Sequence, residues 1–271
     1  MSFKTLLVHA EPDWGSDDAL TAAAHIGGLF NSHIVGVAAE AFEPANYAYV
    51  DGSVVQLLRD EVDVDIAAAE KRFMRALRAN PGGVTFISGT ERPHVLISRH
   101  AGGADLIVAR HVQPGASATN LCHPADLFMG AGIPVLLTPE GAPPLDGRRV
   151  VVAWKDCREA RRALVDSMPF LTRAQRVQLV QVCPAETQVE TRAGLREVVH
   201  RLERLGVHAE VKVITPTGAS TTTDIEDAAA AIDADLIVAG AYSHNRLREW
   251  VLGGVTQDFV EDCDRYVLFS R

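Results

Sequence analysis

The hexapeptide Ala104-Asp-Leu-Ile-Val-Ala109 returns unchanged as Ala234-Asp-Leu-Ile-Val-Ala239. Its neighbours repeat as well. Val135-Leu-Leu-Thr138 follows the first copy and Val267-Leu-Phe-Ser270 the second, while Leu6-Leu-Val8 near the start has its counterpart in Val150-Val-Val152. Self-similarity at this spacing signals two copies of one structural unit. Between the copies, Thr138-Pro-Glu-Gly-Ala-Pro-Pro-Leu-Asp-Gly147 concentrates proline and glycine, a composition that favours an exposed linker over a regular element. The expected domains are therefore 1–142 and 143–271.

In the second half, short β-branched runs at 149–154, 177–182, 209–214, 235–239 and 266–269 alternate with helical patterns. Continuous apolar character suits strands covered on both faces. Leu195, Val198, Val199, Leu202 and Leu205 form one helical stripe that Gly206 ends, and Thr223 or Asp224 can cap the next helix. The first half reads alike, with strands near 5–9, 34–38, 84–87, 105–109 and 135–137. Its longest helical stripe is Val62, Ile66, Ala69, Phe73, Ala76 and Leu77, stopped by Asn80-Pro-Gly-Gly83. An extra stretch at 41–59 reads as a loop. Strands joined through helices imply right-handed crossovers, so the expected fold is α/β: two tandem Rossmann-like domains, each a five-stranded parallel sheet flanked by helices.

Of the 271 residues, 47% are hydrophobic and 23% charged, an ordinary globular composition that excludes disordered and collagen-like classes. The four cysteines are scattered without a CxxC pair, which fits a reducing compartment and a cytoplasmic address. No apolar run approaches the roughly 20 residues of a membrane helix. Net charge is -9, which opposes nucleic-acid binding; Arg246 and Arg248 are the best local basic pair. GxGxxG, Walker A and GxSxG motifs are all missing, so dehydrogenase, P-loop NTPase and hydrolase readings lack their parts. The histidines, His94, His100, His111 and His123 among them, follow no zinc spacing. Cys157 stands at an expected helix start, where a thiol's pKa falls, yet no histidine or second cysteine adjoins it.

In open parallel sheets ligands sit beyond the carboxyl ends of the strands, where strand order reverses. The loop after the fourth strand of the second half reads Gly240-Ala-Tyr-Ser-His-Asn-Arg-Leu-Arg-Glu-Trp-Val-Leu-Gly-Gly-Val-Thr256. Glycine backbone approaches phosphate closely, and a helix N-terminus adds partial positive charge. A packing role stands beside this: Gly253 and Gly254 can let a helix sit tightly, with Arg248 paired to Glu249 or Asp258.

This segment resembles the C-terminal signature of the universal stress protein family, a G-x2-G-x9-G-[S/T] run that holds the ribose and phosphates of ATP. The two halves together resemble the family's tandem form. Position by position, Gly240 holds the first glycine, Ser243 stands at the second, Gly253 holds the third, and Gly254 replaces the Ser or Thr. Thr256 matches a further phosphate-contacting threonine. The family's nucleotide-contacting aspartate falls on Lys155, with Asp156 next to it; Val182 and Val255 complete the implied set. A lysine cannot accept a hydrogen bond from a base or ribose but can contact a phosphate, and Asp156 can equally serve as a helix cap. The loop Ala109-Arg-His-Val-Gln-Pro-Gly-Ala-Ser117 of the first half has no G-x2-G, so nucleotide is expected in the second half only.

The resemblance thus implies a stress-response protein that binds ATP or a related nucleotide, with Mg²⁺ accompanying it, and at most a weak ATPase, since no water-activating carboxylate is identifiable. The alternative is a non-nucleotide interaction or small-ligand protein that uses its halves as a scaffold. The family pairs through its fifth strand; with both copies on one chain, an intramolecular pseudo-dimer is expected, and a homodimer of whole chains remains open.

Overall fold

In the first half the chain runs β1 (Thr5–His9), α1 (Asp18–Phe30), β2 (His33–Ala39), α2 (Gly52–Leu77), β3 (Val84–Gly89), α3 (Pro93–His100), β4 (Leu106–Arg110), α4 (Pro124–Gly130) and β5 (Val135–Thr138). In the second half it continues with β6 (Arg149–Ala153), α5 (Arg158–Asp166), α6 (Met168–Leu171), β7 (Arg176–Val182), α7 (Gln188–Glu203), β8 (Ala209–Ile214), α8 (Thr221–Ala230), β9 (Leu236–Gly240), α9 (Gly254–Glu261) and β10 (Tyr266–Ser270). This computed structural model describes residues 2–12, 17–42, 49–111, 122–241, 254–261 and 263–271. Two compact units result, Phe3–Pro144 and Leu145–Arg271 with Ser2, and the break at 144/145 falls inside the proline-glycine stretch.

Within the first unit the strand order is β3-β2-β1-β4-β5, and within the second β8-β7-β6-β9-β10. Every pairing within each unit is parallel. Order therefore reverses between β1 and β4 and again between β6 and β9, which puts a ligand crevice at the carboxyl ends of those strands. Helices α1 and α2 contact one another and the first sheet, as do α3 and α4; in the second unit α5 lies on β9 and β10, and α8 lies on β6 and β7. The sandwiched strands are buried almost throughout: Leu6, Leu106, Leu136, Val150, Leu236 and Val267 are all inaccessible. Among the described residues no helix is long and apolar enough to cross a membrane.

Several local expectations need correcting. The fourth strand of each half starts one residue later than the apolar run suggested, because Asp105 and Asp235 have another task. Asp105 Oδ2 accepts from the backbone N–H groups of Lys4 and Thr5 at 2.6 and 2.9 Å. Asp235 does the same for Arg148 and Arg149, both at 3.0 Å. The repeated aspartate is thus a clamp that ties the foot of the first strand to the foot of the fourth. In α8 the cap is Ser220, whose Oγ accepts from Thr223 N, and not Thr223 or Asp224. Asp224 is buried and accepts from Thr217 Oγ1 at 2.6 Å.

The stripe on α7 buries Leu195 and Leu202, but the helix ends at Glu203 and Leu205 is exposed. Gly206, at φ 79°, turns the chain so that buried Val207 donates back to the Leu202 carbonyl. On α2 Ala76 is exposed although the rest of its stripe faces inward. The stretch 41–59 is not a loop from residue 52 onward: Asp51 accepts from Ser53 N at 2.9 Å and α2 begins there. Residues 43–48 lie outside the described residues.

The clamps give a test of the repeat. Asp105→Ala and Asp235→Ala each strand two backbone donors, and each should lower the unfolding free energy of its own half by about 1–3 kcal/mol. Asparagine, whose amide oxygen still accepts, should recover part of the loss. Chemical denaturation of the four variants beside wild type checks this.

Candidate functional site

At the carboxyl ends of β6, β7 and β9 lies a cavity of about 330 Å³. Its floor is apolar, built from Ala153, Val180, Val182 and Ala239, with Ile225 of α8 opposite. Lys155, from the turn after β6, reaches its wall, and the first turn of α9 supplies Gly254, Val255 and Thr256. The structure so brings six of the sequence-derived candidates to one place: Lys155, Val182, Gly240, Gly254, Val255 and Thr256. Ser243 and Gly253 lie outside the described residues, as do Arg246, Arg248 and Glu249. Asp258, the other partner suggested for Arg248, accepts from Thr222 Oγ1 at 2.6 Å.

Asp156 goes elsewhere. It lines a neighbouring groove of about 500 Å³ between α5 and α7, where its carboxylate accepts from Arg161 Nη2 at 2.6 Å and Nε at 3.0 Å. It does not cap α5 either, since the N-cap is Cys157 and no side chain bonds there. The cap position falls on the Cys157 thiol because α5 starts at Arg158, three residues beyond Lys155. Burial pushes the Cys157 thiol's pKa up; the N–H groups of Ala160 and Glu159 work against that, and the Glu159 side chain adds to it. At Glu159 burial alone favours protonation, but the bond from Arg158, the residue's own backbone and Cys157 together hold the carboxyl below its usual range.

The two described glycines of the motif do different work. A Cβ on Gly240 would lie 2.6 Å from the Ala160 backbone nitrogen and 2.7 Å from the Glu159 carbonyl carbon, so α5 rests directly on the strand end. A Cβ on Gly254 would meet nothing within 4 Å. Close packing is thus found at Gly240, while Gly254 faces open space at a helix start and Gly253, the other member of the pair suggested for packing, lies outside the described residues. Sequence reasoning missed Thr221 and Ile225, which bring α8 over the same strand ends; no local motif marks them, because only the crossover places α8 there.

The sequence matches no protein-family model and none of the curated proteins. Its structure, however, is similar to that of a universal stress protein from Archaeoglobus fulgidus DSM 4304 over 98% of both chains, at 14% identity and a TM-score of 0.75. A functionally unknown protein from Pseudomonas aeruginosa PAO1 is similar over 99% of this chain and 92% of its own, with 19% identity and a TM-score of 0.64. The chain has the universal stress protein fold in tandem.

The two copies of the universal stress protein fold differ most at the crevice. Strand registers set His9 at the place of Ala153 and Arg110 at the place of Gly240. Where the second copy has a small side chain and none, the first has an imidazole that is 3% exposed and a guanidinium. Arg110 Nη1 lies 3.4 Å from Glu11, and His9 Nδ1 lies 3.9 Å from the same carboxylate. Arg72 of α2 donates to the Glu11 carbonyl and approaches Asp17 at 3.7 Å. Of the other histidines, His123 caps α4 by accepting from Ala125 N at 3.2 Å, and His94 lies 3.8 Å from Asp126. Among the described residues no group of three or more His, Cys, Asp or Glu is placed to hold a metal ion.

Burial, reinforced by the Arg110 charge, lowers the His9 pKa from 6.5 to about 4. The folded first half thus holds this imidazole neutral while the unfolded chain binds a proton below pH 6.5. Its contribution is complete above that pH and is lost as pH falls toward 4, amounting to about 3 kcal/mol. Melting of His9→Leu should accordingly depend less on pH between 6.5 and 4 than melting of wild type. A second contrast concerns the glycines: without ligand, Gly240→Ala should destabilise the second half by about 1–3 kcal/mol through overpacking, and Gly254→Ala should leave its melting temperature nearly unchanged.

Proposed function

We propose that the second half binds ATP or a related nucleotide in the cavity at the ends of β6 and β9, without turning it over, and that the protein acts in a stress response through that bound state. One observation carries the reading. At the strand-order reversal, an apolar slot is bordered by the open backbone of Gly254, the hydroxyl of Thr256 and the cation of Lys155. An apolar floor suits a base, while free N–H groups at a helix start, a hydroxyl and an ammonium suit phosphate oxygens. The volume of about 330 Å³ lies at the low end of the roughly 300–1,000 Å³ of ligand sites.

Among the described residues no carboxylate lines this cavity, and the nearest in sequence, Asp156, is held by Arg161. A bound Mg²⁺ would come with the phosphates, and a base to activate water is missing from the described wall. That supports binding without hydrolysis. Occupancy of one half only is supported by His9 and Arg110, a buried imidazole and a guanidinium that stand in the first half where the second has Ala153 and Gly240. A second reading, a protein that works through partner contacts, is favoured by one observation: the apolar side chains of Val54 and Leu57 near the start of α2 are exposed.

With micromolar affinity, millimolar ATP should stabilise the second half by about 4 kcal/mol and raise its melting temperature. Calorimetry should find one site per chain. Gly254→Val should keep the melting temperature of the free protein yet weaken ATP at least tenfold, because its side chain enters the space beside the helix start. No gain in melting temperature with millimolar ATP would sink the nucleotide reading, and two equivalent sites would show that the first half also binds.

A further inference from the structure

The core stripe of α2 begins only at Val62 and runs through Ala69, Phe73 and Leu77. Ahead of it the helix extends for almost three turns from Gly52, over which Val55 and Leu58 are half-buried and no residue is fully buried. A second apolar stripe lies on another side of the helix: Val54, Leu57 and Val64 follow helical spacing and are 44%, 59% and 65% exposed. Glu61 stands in its middle, and Asp60 and Asp65 border it. From residue 51 to 65 there are five carboxylates and one basic side chain, Arg59. This is an apolar ridge set in negative charge.

That charge decides what can cover it. An anionic lipid surface is repelled by Asp60, Glu61, Asp63 and Asp65. A second copy of the chain, paired about a two-fold axis on this stripe, brings the two Glu61 carboxylates against each other in the middle of the contact. A helix with apolar residues at matching spacing and lysine or arginine beside them meets both features at once. We propose that the exposed stripe of α2 docks a basic amphipathic helix of a protein partner, with apolar side chains on Val54, Leu57 and Val64 and a cation opposite Glu61. The stripe belongs to the first half and the nucleotide cavity to the second, so the proposal does not rest on the cavity.

The probe is a fluorescently labelled leucine-lysine peptide with heptad spacing, titrated by anisotropy against the full chain, beside a peptide of the same composition in scrambled order. The ordered peptide should bind at least tenfold more tightly than the scrambled one. The double variant Leu57→Ser, Val64→Ser leaves the charge unchanged and, since both residues are exposed, should melt like wild type while losing at least tenfold in affinity. Glu61→Lys should also lose at least tenfold. Equal binding of both peptides, or indifference to the double variant, would reduce the interaction to general charge attraction and overturn the proposal. So would sedimentation showing a dimer of the chain that the double variant dissolves, since the occupant would then be a second copy.

Discussion

Each half of this protein depends on one carboxylate at the foot of its sheet. Asp105 and Asp235 accept from two successive backbone N–H groups at the start of the first strand, while their own N–H groups donate to carbonyls of that strand, Asp105 to Thr5 and Asp235 to Arg149, both at 2.9 Å. Two backbone donors that the end of a ladder would leave unpaired are satisfied, and the central pair of strands is brought into register from its first residue. In the second half that pair is β6 and β9, whose opposite ends frame the cavity. The geometry of the site is thus set from the far end of the sheet, through strands that are buried along their length.

From this shared frame the halves diverge through the size of two side chains. In the second half position 153 carries only a methyl group, and the bare α-carbon of Gly240 lets α5 settle onto the strand end. Histidine at 9 and arginine at 110 fill the corresponding positions of the first half with polar atoms that need partners, and Glu11 supplies the counter-charge. Size and charge change together: small residues go with a cavity whose described wall is largely apolar and carries Lys155, larger ones with an internal ion pair.

The strands were legible because a sheet covered on both faces demands near-continuous apolar runs, and their recurrence exposed the duplication. Asp235 was less so. A carboxylate next to an apolar run looks like a boundary, and only the fold reveals that it reaches across to Arg148 and Arg149. The start of α2 is hidden for a related reason: over residues 52–61 half-buried Val55 and Leu58 alternate with exposed Val54 and Leu57, so no single stripe announces a helix there. At the site, the motif positions Gly240, Gly254 and Thr256 come from the resemblance to the family's G-x2-G-x9-G-[S/T] run, and the fold brings all three to one cavity. That Gly240 supports α5, that Asp156 turns away to Arg161 and that Ile225 closes the cavity depend on which helix crosses which strand, and this is a property of the tertiary structure.

The buried charges of the first half also bear on how such a duplicated chain can change over generations. Replacing Arg110 alone withdraws a cation from Glu11; replacing His9 alone leaves the guanidinium beside that carboxylate. Neither single step reproduces the Ala153 and Gly240 of the second half, and the first of them carries a penalty in stability. Such a pair acts as a ratchet: once both residues are in place, selection on one at a time holds them there. The copies are then committed to separate histories, one free to vary around a crevice and the other confined to its interior charges.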